Sequence, residues 1–178
     1  MKFNISSGIY LSEFKKGDES VLVEHLKVKK ISDLTLAIPY PYTFKNASWW
    51  IKHKKQETKR QGQPVSFAIR QKSGKLIGAI GFDGLEIGKE HKAELGYWLA
   101  KPYWNKGIMT ACVKKLCMYG FKKFKLVKII ATCSPRNIGS EQVLKKCGFK
   151  KEGYLKKHHL KNGKYLDRKL FALIRTSK

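Results

Sequence analysis

Apolar side chains recur at steps of three and four residues over residues 107–124, while lysines occupy the opposite side of that stretch. The pattern predicts a helix with one face packed on a sheet. Residues 92–99 alternate between apolar and other side chains, which predicts a strand with Glu94 on the face opposite its apolar row. A second apolar strand over residues 126–133 would complete a parallel, right-handed βαβ unit. A ligand of such a unit binds at the carboxyl end of the first strand, beside the helix start.

The remaining elements are predicted in the same way, from short apolar or alternating runs and from the polar, glycine-containing segments between them. Their order predicts a mixed α/β (α+β) fold with one central mixed sheet of about six to seven strands and helices on both faces. The length fits a single domain over residues 1–178. Further strands are predicted at residues 9–14, 66–71, 76–82, 151–157 and 166–175, and further helices at residues 17–26, 31–36, 46–61 and 138–147.

The segment between the predicted strand and the predicted helix has the features of an anion site. A helix start presents unpaired N–H groups and the positive end of the helix dipole. Gly107 brings no Cβ between the main chain and a ligand, and Lys101 and Lys106 add positive charge beside it. These features predict that a pyrophosphate binds here. The single glycine matches neither the dinucleotide-binding fingerprint nor a Walker A loop.

The charge of the chain is strongly one-sided, with 38 Lys and Arg against 13 Asp and Glu and a formal net charge of +25. Such a field attracts polyanions and repels polycations. Specific reading of nucleic acid usually relies on arginine, whose planar fork bonds bidentately. Arginine occurs at only five positions here, so the charge favours incidental attraction to acidic partners or the ribosome over specific recognition.

The cysteines and the hydropathy indicate a reducing, cytoplasmic location. The four cysteines form no CxxC pair, and three of them fall within apolar patterns, as core thiols do. No apolar run reaches the ~20 residues of a membrane span, and the first residues lack the apolar segment of a secretory signal. The five histidines show no metal-ligand spacing, so we expect no metal and no membrane partner.

Several motifs in order carry a resemblance to a known family. They are Ala93-Glu94-Leu95-Gly96-Tyr97-Trp98-Leu99, Tyr103-Trp104-Asn105-Lys106-Gly107-Ile108-Met109-Thr110, Asn137-Ile138-Gly139-Ser140, Lys146-Cys147-Gly148-Phe149, Pro39-Tyr40-Pro41-Tyr42 and the closing Asp167. With these motifs the chain resembles the GNAT acetyltransferase superfamily, and within it the ribosomal-protein alanine N-acetyltransferases of the RimJ/RimL type. The resemblance covers nearly the whole chain and implies transfer of acetyl from acetyl-CoA to an amine.

The resemblance also implies roles for individual residues. Ser140 would meet the coenzyme sulfur and protonate the departing thiolate, unless solvent does that work. Glu94, a carboxylate in the middle of its strand, is our own candidate for accepting the proton of the amine, directly or through water. Two positions depart from the family pattern: Met109 replaces a second loop glycine, and Leu144 replaces a tyrosine acid, which makes Ser140 the better acid candidate. The residues implied in binding the coenzyme are Trp98, Leu99, Trp104, Asn105, Lys106, Gly107, Ile108, Met109, Thr110, Asn137 and Ser140.

Other interpretations of the same residues stay open at this stage. Glu94 could serve as a structural carboxylate paired with a lysine across the sheet. Asn137 and Ser140 could simply cap a helix, because asparagine is a common cap before an apolar helix.

The acceptor follows from titration chemistry, because only a neutral amine attacks a thioester. An α-amino group with a pKa of about 7.8 is far more often neutral near pH 7 than a lysine with a pKa of about 10.4. We therefore expect an N-acetyltransferase acting on a protein or peptide N-terminus. The alternatives are a small-molecule amine acetyltransferase of the same fold and a basic nucleic-acid or ribosome-binding module without catalysis.

Overall fold

A single eight-stranded sheet forms the centre of the computed structural model, which describes residues 1–6 and 8–176. The strand order is β1-β2-β3-β4-β5-β6-β8-β7, and every neighbouring pair is antiparallel except β5 and β6. The strands are β1 (Lys2–Ser6), β2 (Ile9–Ser12), β3 (Ser66–Gln71), β4 (Leu76–Asp83), β5 (Lys92–Leu99), β6 (Lys128–Cys133), β7 (Lys150–Lys161) and β8 (Lys164–Ile174).

Helices cover both faces of this sheet, as the sequence predicts. One hydrophobic cluster packs α4 and α5 on one face, and a second packs α1, α2 and α3 on the other. The mixed α/β fold class is therefore confirmed. None of the helices in the described residues is long and apolar enough to cross a membrane. The helices are α1 (Asp18–Leu26), α2 (Lys29–Leu34), α3 (Phe44–Gln61), α4 (Ile108–Lys123) and α5 (Ile138–Lys146).

The strand count is one point on which the sequence prediction was wrong, since the sheet has eight strands instead of six or seven. The extra strand is β1, which lies at the sheet edge and pairs only with the four-residue strand β2. Side chains of β1 are alternately exposed and half-buried, and Phe3 and Ile5 pack against the core. In the sequence, however, an alternation over only five residues cannot be distinguished from a loop.

Two helix starts also differ from their predicted positions. Helix α3 begins at Phe44, because Thr43 and Asn46 form a reciprocal capping box whose partners lie three residues apart. Helix α2 begins at Lys29 and ends at Leu34, and the hydroxyl of Thr35 donates to the carbonyl of Ile31 at its end. Both differences move the helices toward the N-terminus, so that the segment after α2 becomes a loop beside the sheet.

A buried ion pair joins α1 to the sheet. The guanidinium of Arg70 donates from Nη1 and Nη2 to the two carboxylate oxygens of Asp18, at 2.8 and 2.6 Å, and from Nε to the hydroxyl of Ser12 at 2.8 Å. Both charged side chains are almost fully buried. A bidentate pair of this geometry fixes the position of α1 over β3, on the sheet face that also carries α2 and α3.

Candidate active site

Strands β5 and β6 separate after a short parallel pairing. They are hydrogen-bonded only where residues 92–94 face residues 128–130, although β5 continues to Leu99 and β6 to Cys133. Beyond the pairing, the described residues place no strand between the two. The main chain of β5 on that side is consequently available to an extended ligand that binds as an added strand.

The loop at the open end of this wedge leads into α4 through a 3-10 turn, Lys101–Tyr103. Gly107 is the N-cap of α4 and has φ 73°, in the left-handed region that favours glycine. Within the described chain no side chain caps this helix start. The first N–H groups of α4 therefore have no side-chain partner, which is the arrangement that an anion site requires.

Trp104 and several cations shape the surroundings of this loop. The indole Nε1 of Trp104 donates to the carbonyl of Leu99 at 2.7 Å, which ties the loop to the end of β5. Lys106 and Arg136 line the adjoining cavity, which we call the loop cavity, and its volume is about 690 Å³. That volume suits a large ligand. It is also lined by the predicted site residues Trp98, Leu99, Trp104, Asn105, Lys106, Gly107, Ile108, Met109, Thr110, Asn137 and Ser140.

A pair of hydroxyl groups lies beside the start of α5. The hydroxyls of Ser140 and Tyr97 are 2.8 Å apart, and burial raises the pKa of Tyr97. The side-chain oxygen of Asn137 accepts from the N–H of Ser140 at 3.0 Å, so Asn137 is the N-cap of α5. The capping interpretation therefore holds for Asn137, while the hydroxyl of Ser140 remains free to exchange a proton with Tyr97.

A second cavity of about 430 Å³ opens on the sheet face that carries α1, α2 and α3. We call it the carboxylate cavity, because Asp83 and Glu94, register partners on β4 and β5, both line it. Glu94 is half-buried and accepts from the hydroxyl of Thr132 at 3.1 Å. Its neighbour across the sheet is thus a threonine on β6 and not the lysine of the structural interpretation.

The two cavities share a boundary at the mouth of the wedge. Tyr97, Trp98, Asn137 and Ser140 line both of them. Leu34 and Thr35 also line both, so a ligand in the loop cavity and a ligand in the carboxylate cavity would be neighbours along a boundary that includes Ser140. This arrangement suits a transfer between two bound molecules.

Comparison with known proteins decides the family. The family model described as an acetyltransferase (GNAT) domain matches residues 9–150. This chain belongs to the GNAT acetyltransferase family. Its sequence is 37% identical over 120 residues to the probable N-acetyltransferase YjcK of Bacillus subtilis, which covers 67% of this chain and 66% of that protein.

Two further comparisons show which other acetyltransferases this chain is similar to. It is 30% identical over 118 residues to the [ribosomal protein uS5]-alanine N-acetyltransferase of Escherichia coli, covering 66% of this chain and 61% of that protein. A solved RimL, a ribosomal L7/L12 alpha-N-protein acetyltransferase in complex with coenzyme A, superposes with a TM-score of 0.85 at 18% identity, covering 98% of each chain. At that identity the likeness shows the fold alone. The matched segments span less than two thirds of the two curated relatives.

In this GNAT fold a lysine from the β7–β8 hairpin holds the loop after α2 in place. The ammonium of Lys161, at the end of β7, donates to the carbonyls of Ser32, Thr35 and Ile38 at 2.6, 2.9 and 2.9 Å. Residues 34–38 line the carboxylate cavity. The β7–β8 hairpin and the α2–α3 loop therefore form one wall of that cavity.

The site contains three residues that sequence reasoning did not select. Tyr97 falls in the apolar row of its strand and so was predicted as a core residue, and Asp83 lies at the end of β4, where the predicted strand had already stopped. Arg168 lies on β8, far along the chain from its neighbour Thr132. A cross-strand pairing of residues 83 and 94 would have drawn attention to Asp83, but pairing register is a tertiary property.

Met109 takes a different position from the other loop residues. Its side chain is buried in the core under α4, at 7% exposure. Only its main chain faces the loop cavity as a helix-start N–H. A methionine is thus compatible with an anion site at this position, because the site uses the backbone and the side chain packs inward.

Proposed function

We propose that this protein transfers the acetyl group of acetyl-CoA to the N-terminal α-amine of a protein or peptide. The observation that carries the proposal is the meeting of the loop cavity and the carboxylate cavity at Ser140. Membership in the GNAT family supports the same chemistry, as do the names of the relatives, one of which is a [ribosomal protein uS5]-alanine N-acetyltransferase. The four free cysteines, three of them buried, accord with a cytoplasmic location.

The residues of the loop cavity suit coenzyme A. The uncapped N–H groups at the start of α4 would bind the pyrophosphate, and Lys106 and Arg136 would add charge to the same groove. The open side of β5, near Trp98 and Leu99, would bond the pantetheine arm as an added strand. When bound there, acetyl-CoA supplies an activated thioester at the boundary of the two cavities.

The residues around the boundary would handle the protons of the transfer. A carboxylate in the neighbouring cavity, for which Glu94 is the sequence candidate, would take a proton from the acceptor ammonium. The free amine would then form the new C–N bond as the C–S bond breaks. Ser140, backed by the hydroxyl of Tyr97, would give a proton to the sulfur that leaves.

A panel of acceptors tests this proposal. Thiol release from acetyl-CoA should be fastest with peptides that have a free α-amine. It should be slow with the same peptides blocked at the N-terminus and carrying one lysine, and with polyamines. Faster turnover of small amines than of any peptide would favour the small-molecule alternative. No thiol release with any amine, despite binding of RNA, would favour the non-catalytic one.

Replacing Gly107 with valine should weaken CoA binding about tenfold or more. A β-branched side chain is strained at φ 73°, so the loop would shift and the N–H groups of α4 would lose their direction. Calorimetric titration with CoA measures the effect. Gly62→Val is the matched control, since Gly62 has φ 69° at the end of α3, outside both cavities. Equal CoA affinity in the two variants would place the pyrophosphate elsewhere.

A further inference from the structure

The carboxylate of Asp83 extends over the sheet toward the boundary of the two cavities. Its register partner on β5 is Glu94, yet its Oδ2 lies where a Cβ on Gly96 would stand, two residues closer to Trp98. Glycine at position 96 is what leaves room for the carboxylate. The side chain of Asp83 is 65% exposed, to the open cavity, and within the described residues its oxygens accept no hydrogen bond.

The charges that line the carboxylate cavity balance, inside a strongly basic protein. Helix α3 contributes Lys54, 4.0 Å from Asp83 Oδ1, together with Glu57, which pairs with Lys54 at 3.0 Å. Strand β5 contributes Glu94 and β8 contributes Arg168, so that two carboxylates and two cations line the cavity, while Glu57 acts on Asp83 from outside the lining. Partial loss of hydration inside the cavity raises the pKa of Asp83 although its side chain is open to that cavity, and Glu94 raises the pKa further, against the opposite effect of Lys54. The other ionisable residues of the lining are Tyr42, His53, Tyr97 and Cys133.

A buried donor without a partner lies in the same cavity. Arg168 is only 4% exposed, and its Nη2 donates to the carbonyl of Thr132 at 3.1 Å. Its Nε has no hydrogen-bond partner among the described residues, although the side chain lines the cavity. Buried guanidinium N–H groups are normally bonded, so Arg168 has donor capacity left over and is a candidate to donate to a ligand oxygen in the cavity.

We propose that the carboxylate cavity binds the first residue of a peptide through two contacts: Asp83 receives the α-ammonium and takes its proton, and Arg168 donates to the carbonyl that follows. The inference rests on the proposed function and names the acceptor group more narrowly. Glu94, bonded to Thr132, is then the second carboxylate that holds the ammonium, and not the group that takes the proton. Asp83 is a catalytic residue in this scheme.

The proton balance of the step is complete. The ammonium gives one proton to the Asp83 carboxylate, which later releases it to water. The nitrogen lone pair forms the bond to the acetyl carbon while the C–S electron pair leaves on sulfur. The second proton of the nitrogen reaches that sulfur through the hydroxyls of Ser140 and Tyr97, 2.8 Å apart. The products are an acetylated amine and a free thiol.

The two contacts together distinguish an α-amine from a lysine side chain. In a peptide the α-amine is two bonds from a carbonyl carbon, whereas the ε-amine of lysine has only methylene groups nearby. A lysine would satisfy Asp83 and leave the buried donors of Arg168 without an oxygen. Leaving a buried polar group unpaired is a strong basis for rejecting the wrong substrate.

Kinetics with alaninamide test the inference. Asp83→Asn should lower kcat/KM for alaninamide about a hundredfold and leave the Kd for CoA unchanged. In the unchanged enzyme kcat/KM should fall at low pH as Asp83 is protonated, and its raised pKa places that fall above the range of an ordinary carboxyl. In Asp83→Asn the fall should instead follow the pKa of the alaninamide amine, because without the carboxylate only amine that is already neutral reacts. Glu86→Gln removes the same charge three residues away, in an exposed pair with Lys89, and should leave both values unchanged.

The second contact has its own comparison. With kcat/KM expressed per neutral amine, the unchanged enzyme should use alaninamide at least about tenfold better than isopropylamine, which carries a methyl group in place of the carboxamide, and Arg168→Lys should lower that ratio. If Arg168→Lys does not fold, the ratio of kcat/KM for the two amines in the unchanged enzyme decides whether the second contact exists. Unchanged turnover of alaninamide by Asp83→Asn, or equal use of the two amines, would overturn the inference alone. Absence of turnover with every amine would overturn the proposed function and the inference with it.

Discussion

Replacing Ser140 with alanine should lower kcat about a hundredfold, while the Kd for CoA stays within about twofold. The hydroxyl of Ser140 lies at the boundary of the two cavities, 2.8 Å from that of Tyr97, and is the group placed to protonate the leaving sulfur. Without it, water must supply the proton. Thiol-release kinetics at saturating acetyl-CoA give kcat, and calorimetric titration gives the Kd for CoA.

Two further variants make the Ser140 result interpretable. Ser134→Ala removes a hydroxyl in the same β6–α5 connection that lies in neither cavity, and it should leave kcat unchanged. Tyr97→Phe should lower kcat less than Ser140→Ala, because Tyr97 would act through Ser140. Equal losses in kcat and in CoA affinity would assign Ser140 to binding alone, and an unchanged kcat would assign the proton to water.

Replacing Asp18 with alanine should lower the free energy of unfolding by about 3–5 kcal/mol. The change leaves the Arg70 guanidinium, 2% exposed, without its bidentate partner inside the protein. An uncompensated buried charge is strongly destabilising, whatever the net contribution of the intact pair. Denaturation by urea, followed by circular dichroism, measures the loss.

An exposed pair in the next helix provides the control for Asp18. Lys29 and Asp33 are 3.2 Å apart across one turn of α2, with side chains 65% and 55% exposed. Asp33→Ala should change the free energy of unfolding by no more than about 1 kcal/mol, because water already solvates both charges. A loss for Asp18→Ala as small as that for Asp33→Ala would show that water reaches Arg70 in the folded protein.

Local chemistry explains which parts of the site were predictable. The start of α4 is encoded over adjacent residues, by the apolar periodicity of the helix and by Gly107 at its cap, so the sequence alone located it within one residue. The parallel pairing of β5 and β6 followed from the helical crossover between them. In each case one short segment carries the whole signal.

The carboxylate cavity was not predictable because its residues come from distant segments. Asp83 becomes a site residue through its register with β5 and through the absence of a Cβ on Gly96. Lys161 reaches the loop after α2 across more than 120 positions of the chain. Neither contact produces a periodic pattern in the sequence, and nothing near Lys161 distinguishes it from the many other lysines.

A calorimetric titration of the unchanged protein with CoA and with 4′-phosphopantetheine tests whether the start of α4 binds the pyrophosphate of CoA. The latter keeps one phosphate of the pyrophosphate and lacks the other phosphate together with the nucleotide, so the start of α4 would bind only half of its proposed anion. We predict a Kd for CoA below about 1 mM. The Kd for 4′-phosphopantetheine should be at least about a hundredfold higher, which is a difference of about 2.7 kcal/mol in binding free energy. Equal affinity for the two compounds, or no heat with CoA up to millimolar concentration, would contradict this prediction.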